Sequence, residues 1–405
     1  MTAMTYDFTT ILDRHGQDAL AVDGLGQGDA PGAPKDGWDA IPMWVADMNF
    51  ATVPTVTEAL VERAKHPTYG YFEIRDEYYE SIIRWQEKRN GVTGLTREHI
   101  AYQNGVLGGL LAAVNAVSSK GDAIFLHSPT YIGFTHCLTD NGYRLVHSAL
   151  EKDADGVYRM NFADMERKLS ENHIHTAIFC SPHNPTGRVW EKWELERAME
   201  LFRKYDVYVI SDEIWSDILL NGHKHIPTQS VSEDARRRTV ALYAPSKTFN
   251  LAGLIGAYQI IYDPWLRERA AREAALTHYN SINVLSMHAL IGAYKDEGHL
   301  WVDELCETLS ENIRFACAYI GEHFRGVEVT APEGTYMLFL DCEKFLRKQG
   351  KTLDELLRAG WDVGVIWQDG RPFHGPAHIR MNLALPLSKV KEAFDRLHKY
   401  VFCGK

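Results

Sequence analysis

Five short runs of consecutive apolar residues through the middle of the chain constrain its fold more than any other feature. They are Ala123-Ile124-Phe125-Leu126, Thr176-Ala177-Ile178-Phe179-Cys180, Val207-Tyr208-Val209-Ile210, Val240-Ala241-Leu242-Tyr243 and Ala257-Tyr258-Gln259-Ile260-Ile261. Each has the length of a strand, none alternates apolar with polar as a half-wet sheet would, and helical segments separate them. Strands of this kind are buried on both faces. The chain from Ile100 onward therefore predicts an α/β fold, a mostly parallel sheet between helical layers.

After about residue 285 the pattern changes to a long charged helix (Leu300 to His323), a strand-like Tyr336 to Leu340, a helix near Leu353 to Ala359 and a last helix from Ser388, which is the order of a smaller α+β domain. The first forty or so residues, rich in Gly, Asp and Pro, read as an extended arm, with structure proper beginning near Ile41. A chain of 405 residues exceeds one ordinary core. The expected organisation is residues 1–45 as arm and part of the small domain, 46–290 as the large domain and 291–405 as the small C-terminal domain.

Composition excludes several function classes. A 45% hydrophobic and 24% charged chain is that of a soluble globular protein, and no stretch offers the roughly 18 apolar residues of a membrane helix. The start, MTAMTYDFTT, lacks a basic segment followed by an apolar one, so a cytoplasmic site is expected. A net charge of -11, with one compact basic run (Arg236 to Arg238) beside Glu233 and Asp234, argues against a nucleic-acid partner. Six cysteines without a C-x-x-C pair favour neither a disulfide framework nor a metal site.

In parallel sheets ligands sit beyond the carboxyl ends of the strands. The loops there read Ser128-Pro129-Thr130-Tyr131, Ser181-Pro182-His183-Asn184-Pro185-Thr186-Gly187, Ser211-Asp212-Glu213-Ile214-Trp215 and, after the strand ending at Tyr243, Ser246-Lys247. Singly these are a turn, a helix cap or a solvated lysine. Together they supply an aromatic face, an amide donor, a carboxylate and an amine, the set that pyridoxal phosphate (PLP) needs. Gln103-Asn104-Gly105-Val106-Leu107-Gly108-Gly109 adds a glycine-rich entry to a helix, which either holds a phosphate on free N–H groups or permits close helix packing.

The order Asn-Pro-x-Gly, Ser-Asp-Glu-Ile, Ser-Lys and a late Arg resembles the fold-type I PLP enzymes of the aminotransferase class I/II superfamily. The segments VADMNF (45–50), YGY (69–71), CSPHNPTGRVW (180–190), SDEI (211–214), APSKTFNLAG (244–253), EGTY (333–336) and RMNLALP (380–386) resemble its carbon–sulfur lyase branch, which includes bacterial cystathionine β-lyases and cystalysin. The resemblance runs from about residue 6 to the last helix. It implies a large domain with a mostly parallel seven-stranded sheet, a small α+β domain, and a homodimer whose sites are shared between subunits.

The resemblance also implies roles. Lys247 would be the Schiff-base lysine and the base at Cα; a partly desolvated amine near positive groups is activated for both. Asp212 would face the pyridine nitrogen, Asn184 and Trp215 would donate to the phenolate oxygen, and Tyr131 would stack on the ring and assist catalysis. Gly105, Val106 and Leu107, with Ser246, would hold the phosphate, and Tyr71 would reach the neighbouring subunit's phosphate and substrate. Arg380 would grip the substrate α-carboxylate in a planar two-point contact, helped by the Ala46 N–H and by Asn184.

Three departures stand out: Trp215 where the branch has His, Asn49 where it has an acid, and Ile255 where aspartate-type aminotransferases have Arg. The implied reaction is α,β-elimination on an S-substituted L-cysteine such as L-cystathionine, giving a thiol, pyruvate and ammonia. A PLP-dependent aminotransferase on an L-amino acid is the alternative. Trp215, His183, Trp367 and Phe373 are candidates for the side-chain pocket.

Overall fold

In the computed structural model, which describes residues 4–276, 278 and 280–403, the apolar runs form the centre of an eight-stranded sheet. Its strands are β1 (Ile100–Gln103), β2 (Ala123–Ser128), β3 (Arg144–Lys152), β4 (Tyr158–Met160), β5 (Thr176–Cys180), β6 (Tyr208–Asp212), β7 (Thr239–Tyr243) and β8 (Ala257–Ile260). They lie in the order β1-β8-β7-β6-β5-β2-β3-β4. The five strands from β7 to β3 are mutually parallel; β8 is antiparallel to both β1 and β7, and β4 is antiparallel to β3. Seven strands match the expected sheet. The eighth, β4, is a three-residue addition that pairs Tyr158 with Lys152 at the edge.

Successive side chains of the central strands go to opposite faces, as the two-residue period of a strand requires. Ile178, Ile210, Val240 and Leu242 join one core with Leu110, Val114 and Phe134 from helices α1 (Val106–Val117) and α2 (Ile132–Thr139). Ala177, Phe179 and Val209 join the other with Leu195, Met199 and Phe202 of the helix Lys192–Lys204. With both faces covered, the strands have no wet side, which is why they are apolar throughout.

The larger unit comprises Thr52–Asn184 and Arg188–Val302, and the smaller comprises the chain up to Ala51, Pro185–Gly187 and the chain from Asp303. Divisions thus fall after Ala51 and Val302, against residues 45 and 290 in the sequence reading. The smaller unit holds an antiparallel sheet in the order β9 (Glu328–Val329), β10 (Met337–Asp341), β12 (His378–Asn382) and β11 (Gln368–Asp369). Its arm is tied down well before Ile41: the Thr5 and Tyr6 N–H groups donate to the Glu304 carboxylate at 2.8 Å, and Phe8 meets Phe50 edge to face. Among the described residues no helix is long and apolar enough to cross a membrane.

Candidate active site

The carboxyl ends of four neighbouring strands lead into the loops that carry the candidate residues of the larger unit. Asp212 closes β6, with Cys180 of β5 and Leu242 of β7 as its register partners. Lys247 lies four residues past β7, in the single-turn helix Pro245–Thr248; Asn184 follows β5, and Tyr131 follows β2 as the residue before α2. Because these strands are parallel, all four loops emerge at one end of the sheet.

Asp212 is 5% exposed and accepts the Ile214 N–H at 3.1 Å. Burial pushes its carboxyl up to about 7; the Ile214 hydrogen bond and the charge of Lys247 act the other way. A desolvated carboxylate of this kind gains most from a cation placed against it. Lys247 Nζ lies 6.0 Å from the ring centroid of Trp215, which is 2% exposed, so the indole offers its face to the amine. Next to the lysine, Thr248 Oγ1 donates to Asp217 Oδ2 at 3.0 Å, and Trp85 Nε1 donates to the same carboxylate.

Tyr131 meets Phe134 edge to face at 5.3 Å. Gly133 makes that position accessible, since a Cβ there would stand 2.3 Å from Tyr131 Cε1. Helix α1 begins after Gly105, whose φ of +79° suits glycine, and no side chain caps its first turn. The close-packing reading of the glycine cluster holds at Gly109, where a Cβ would stand only 2.9 Å from Gln103 Cγ and Leu242 Cδ2, while Gly105 opens the helix. Ser246 Oγ is turned to the Gly256 carbonyl at 3.5 Å.

The donor set fits pyridoxal phosphate: an uncapped helix start for the phosphate, a buried carboxylate for the ring nitrogen, an aromatic face, and a lysine on the adjacent strand end. Val106, Leu107 and Gly105 belong to that helix start, Asn184 is buried in the loop after β5, and Tyr71 is fully exposed on its loop.

The smaller unit contains the other two predicted residues. Arg380, on β12 and 3% exposed, is held by Gln368 Oε1 (3.0 Å from Nε) and the Trp44 carbonyl (3.3 Å from Nη2), with its guanidinium 4.3 Å over the Phe373 ring. The loop of Ala46 is fixed by Asn382, whose Nδ2 donates to the Val45 and Asp47 carbonyls at 2.8 and 2.7 Å. Ala46 and Arg380 are thus linked through one strand. Asn49 accepts from Arg14 Nη1 at 3.1 Å while Asp47 binds Nη2 at 2.6 Å, so the missing acid leaves the arm's arginine with one carboxylate.

Of the pocket candidates, Trp367 is a core residue, fully buried with its Nε1 donating to Leu357 O, and His183 is buried against Trp190. Phe373 supports Arg380. Sequence reasoning overlooked Glu213, Asp217, His225, Gln368 and Asn382. Glu213 stands within the quoted SDEI and Asn382 within RMNLALP, but their roles depend on partners distant in sequence.

The aminotransferase class I and II pattern matches residues 40–397. The chain is 33% identical to cystathionine beta-lyase PatB of Bacillus subtilis (strain 168), over 89% of this chain and 92% of that protein. Among solved structures it is similar to a PLP-bound putative aminotransferase from Clostridium difficile 630 (32% identity, TM-score 0.88, covering 98% and 99% of the two chains). It is also similar to a PLP-bound C-S lyase from Staphylococcus hominis (30%, TM-score 0.87, covering 97% and 98%). On this match, spanning nearly the whole chain, the protein belongs to the aminotransferase class I and II family.

Proposed function

We propose that the protein is a PLP-dependent carbon–sulfur lyase that cleaves S-substituted L-cysteines such as L-cystathionine into a thiol, pyruvate and ammonia. The observation that carries this reading is the series Lys247, Asp212, Asn184 and Tyr131 on successive strand ends of one parallel sheet. The likeness to a cystathionine β-lyase and to a C-S lyase supports the reaction type.

Held by Lys247 until the substrate amine displaces the lysine, the cofactor would supply an electron sink for the pair left when Cα loses its proton. Arg380 orients the substrate by its α-carboxylate, for which its guanidinium is pre-set by Gln368 and Phe373. Lys247 Nζ, freed when the substrate amine takes its place, would take the proton from Cα; the Cβ–S bond then breaks and its electron pair leaves with sulfur, protonated by Lys247 or Tyr131, and water hydrolyses the remaining three-carbon fragment to pyruvate and ammonia. Asp212 keeps the ring nitrogen protonated, an anion it can remain because the cation offsets its burial. Trp215 Nε1 and Asn184 would donate to the phenolate oxygen. Since indole cannot exchange a proton as imidazole does, Trp215 fixes that oxygen's hydrogen bonding rather than relaying protons.

The reading extends to a cytoplasmic homodimer. It is supported by six free thiols, suited to a reducing compartment, and by the neighbouring exposed rings of Tyr69, Tyr71 and Phe72. The test is to incubate PLP-loaded protein with L-cystathionine without any keto acid and to assay pyruvate and free thiol. Stoichiometric release of both is expected. No release, with amino-group transfer once a keto acid is added, would replace the lyase by an aminotransferase.

A further inference from the structure

The residue after Lys247 is pinned by a carboxylate that the mechanism leaves unused. Thr248 and Asp217 are both buried, and Thr248 Oγ1 donates to Asp217 Oδ2 at 3.0 Å. The buried Trp85 donates its Nε1 proton to the same carboxylate, 3.1 and 3.3 Å from the two oxygens, and Arg89 Nε stands 4.0 Å from Oδ1. Asp217 lies in the turn after β6, two residues beyond Trp215 and five beyond Asp212. That turn is closed by the Ser216 N–H on the Glu213 carbonyl and the Ile218 N–H on the Trp215 carbonyl, both at 3.0 Å. One hydroxyl thus ties the turn that carries Lys247 to the turn that carries Trp215.

A second contact acts on the next residue. The Phe249 N–H donates to the Pro245 carbonyl at 2.9 Å, closing the single-turn helix, and the Phe249 ring meets Trp85 at 5.6 Å and Trp301 at 5.4 Å between centroids. Trp85 is itself stacked on Tyr294 at 4.4 Å and on His299 at 4.2 Å, so the indole that donates to Asp217 is locked among rings. Asp217 therefore spans a fixed indole and the Thr248 hydroxyl. Burial raises its carboxyl, while the Arg89 charge and the Thr248 and Trp85 hydrogen bonds act the other way. The anchor holds in either charge state, because both donors need only an oxygen lone pair.

We propose that Asp217 is a positioning residue for Lys247: by holding the Thr248 hydroxyl it fixes the turn that sets the lysine amine at the face of Trp215. This rests on the PLP reading above, in which that amine holds the cofactor and takes the Cα proton. The four-carbon stem of a lysine is flexible, so the amine is placed only as well as the backbone beneath it. Here Lys247 Nζ lies 6.0 Å from the Trp215 ring centroid, and the Asp217 contact joins the two backbones that define that separation. A reacting group displaced by about 1 Å loses on the order of a hundredfold in rate. A hydroxyl that served only to satisfy a buried carboxylate would act on stability and leave the amine where it is.

The experiment compares PLP-loaded wild type with Thr248→Val, which keeps the shape and loses the hydroxyl, and with Thr248→Ser, which keeps the hydroxyl. At equal PLP occupancy it reads the visible circular dichroism of the bound cofactor, kcat and KM for L-cystathionine, and the effect of deuterium at the substrate Cα on kcat. In Thr248→Val the dichroism per bound cofactor should fall, kcat should drop about ten- to hundredfold with KM little changed, and the deuterium effect should grow as the Cα step slows. Thr248→Ser should restore all of these. Should L-cystathionine not be cleaved, the dichroism alone decides; should Thr248→Val fail to fold, Thr248→Ala, which adds no bulk beside Asp217, must show the same defects. A lowered melting temperature with wild-type dichroism and kinetics, or a defect that Thr248→Ser shares, overturns the proposal while the PLP reading stands. Failure of the wild-type protein to take up PLP overturns both.

Discussion

Asp212 shows how a single residue stores the demand for a ligand. Its carboxyl is raised from 3.8 to about 7 by burial, so between those values the cofactor-free native chain binds more protons than the unfolded chain. Stability from this group is then greatest at low pH and falls as pH rises from about 4 to 7. Replacing Asp212 by Asn removes that penalty: at pH 8 the cofactor-free variant should melt above the cofactor-free wild type, the difference closing near pH 4, while PLP binds more weakly. Calorimetry at the two pH values checks this, and equal melting at pH 8 would contradict the role of burial. Such a conflict was partly legible in the sequence, where an acid directly follows Val209-Ile210-Ser211. The partner that offsets its charge, Lys247, is brought near only by strand order.

At the scale of elements, the site depends on how α1 lies over β7. Gly109 faces Leu242 with no room for a side chain, and the same helix presents its uncapped start to the strand ends. Gly109→Val should cost about 1–3 kcal/mol, as overpacking of a close contact does, and should weaken PLP binding because the helix start moves with it. Denaturant midpoints and cofactor titration measure the two effects; loss of stability with unchanged binding would separate the helix from the site. The central strands were readable because burial on both faces leaves an uninterrupted apolar signature. The run from Arg144 to Lys152 was passed over because β3 lies near the sheet's edge and exposes residues such as Arg144, Glu151 and Lys152. In the arm, glycine and proline suggested loop, yet a one-turn helix, Leu20–Asp23, forms there and is anchored by contacts such as Trp44 Nε1 to Ala21 O.

For the whole molecule, the family resemblance carried information that local patterns do not. Nothing about Arg380 or Tyr71 singles them out in periodicity or charge, and a lone arginine on a strand has many structural uses. The exposed Tyr69, Tyr71 and Phe72 fit a chain that covers them with a second copy, so sedimentation should give the mass of a dimer; a stable monomer binding PLP with full affinity would contradict the shared site. On the proposed reading one amine, just past the end of β7, holds the cofactor. It is tested most directly by reducing the PLP-loaded protein with borohydride, digesting it and locating the fixed pyridoxyl group by mass spectrometry. The adduct is expected on the peptide containing Lys247, and is expected to be absent after Lys247→Ala. An adduct on another lysine, or none in a protein that retains bound PLP, would contradict it.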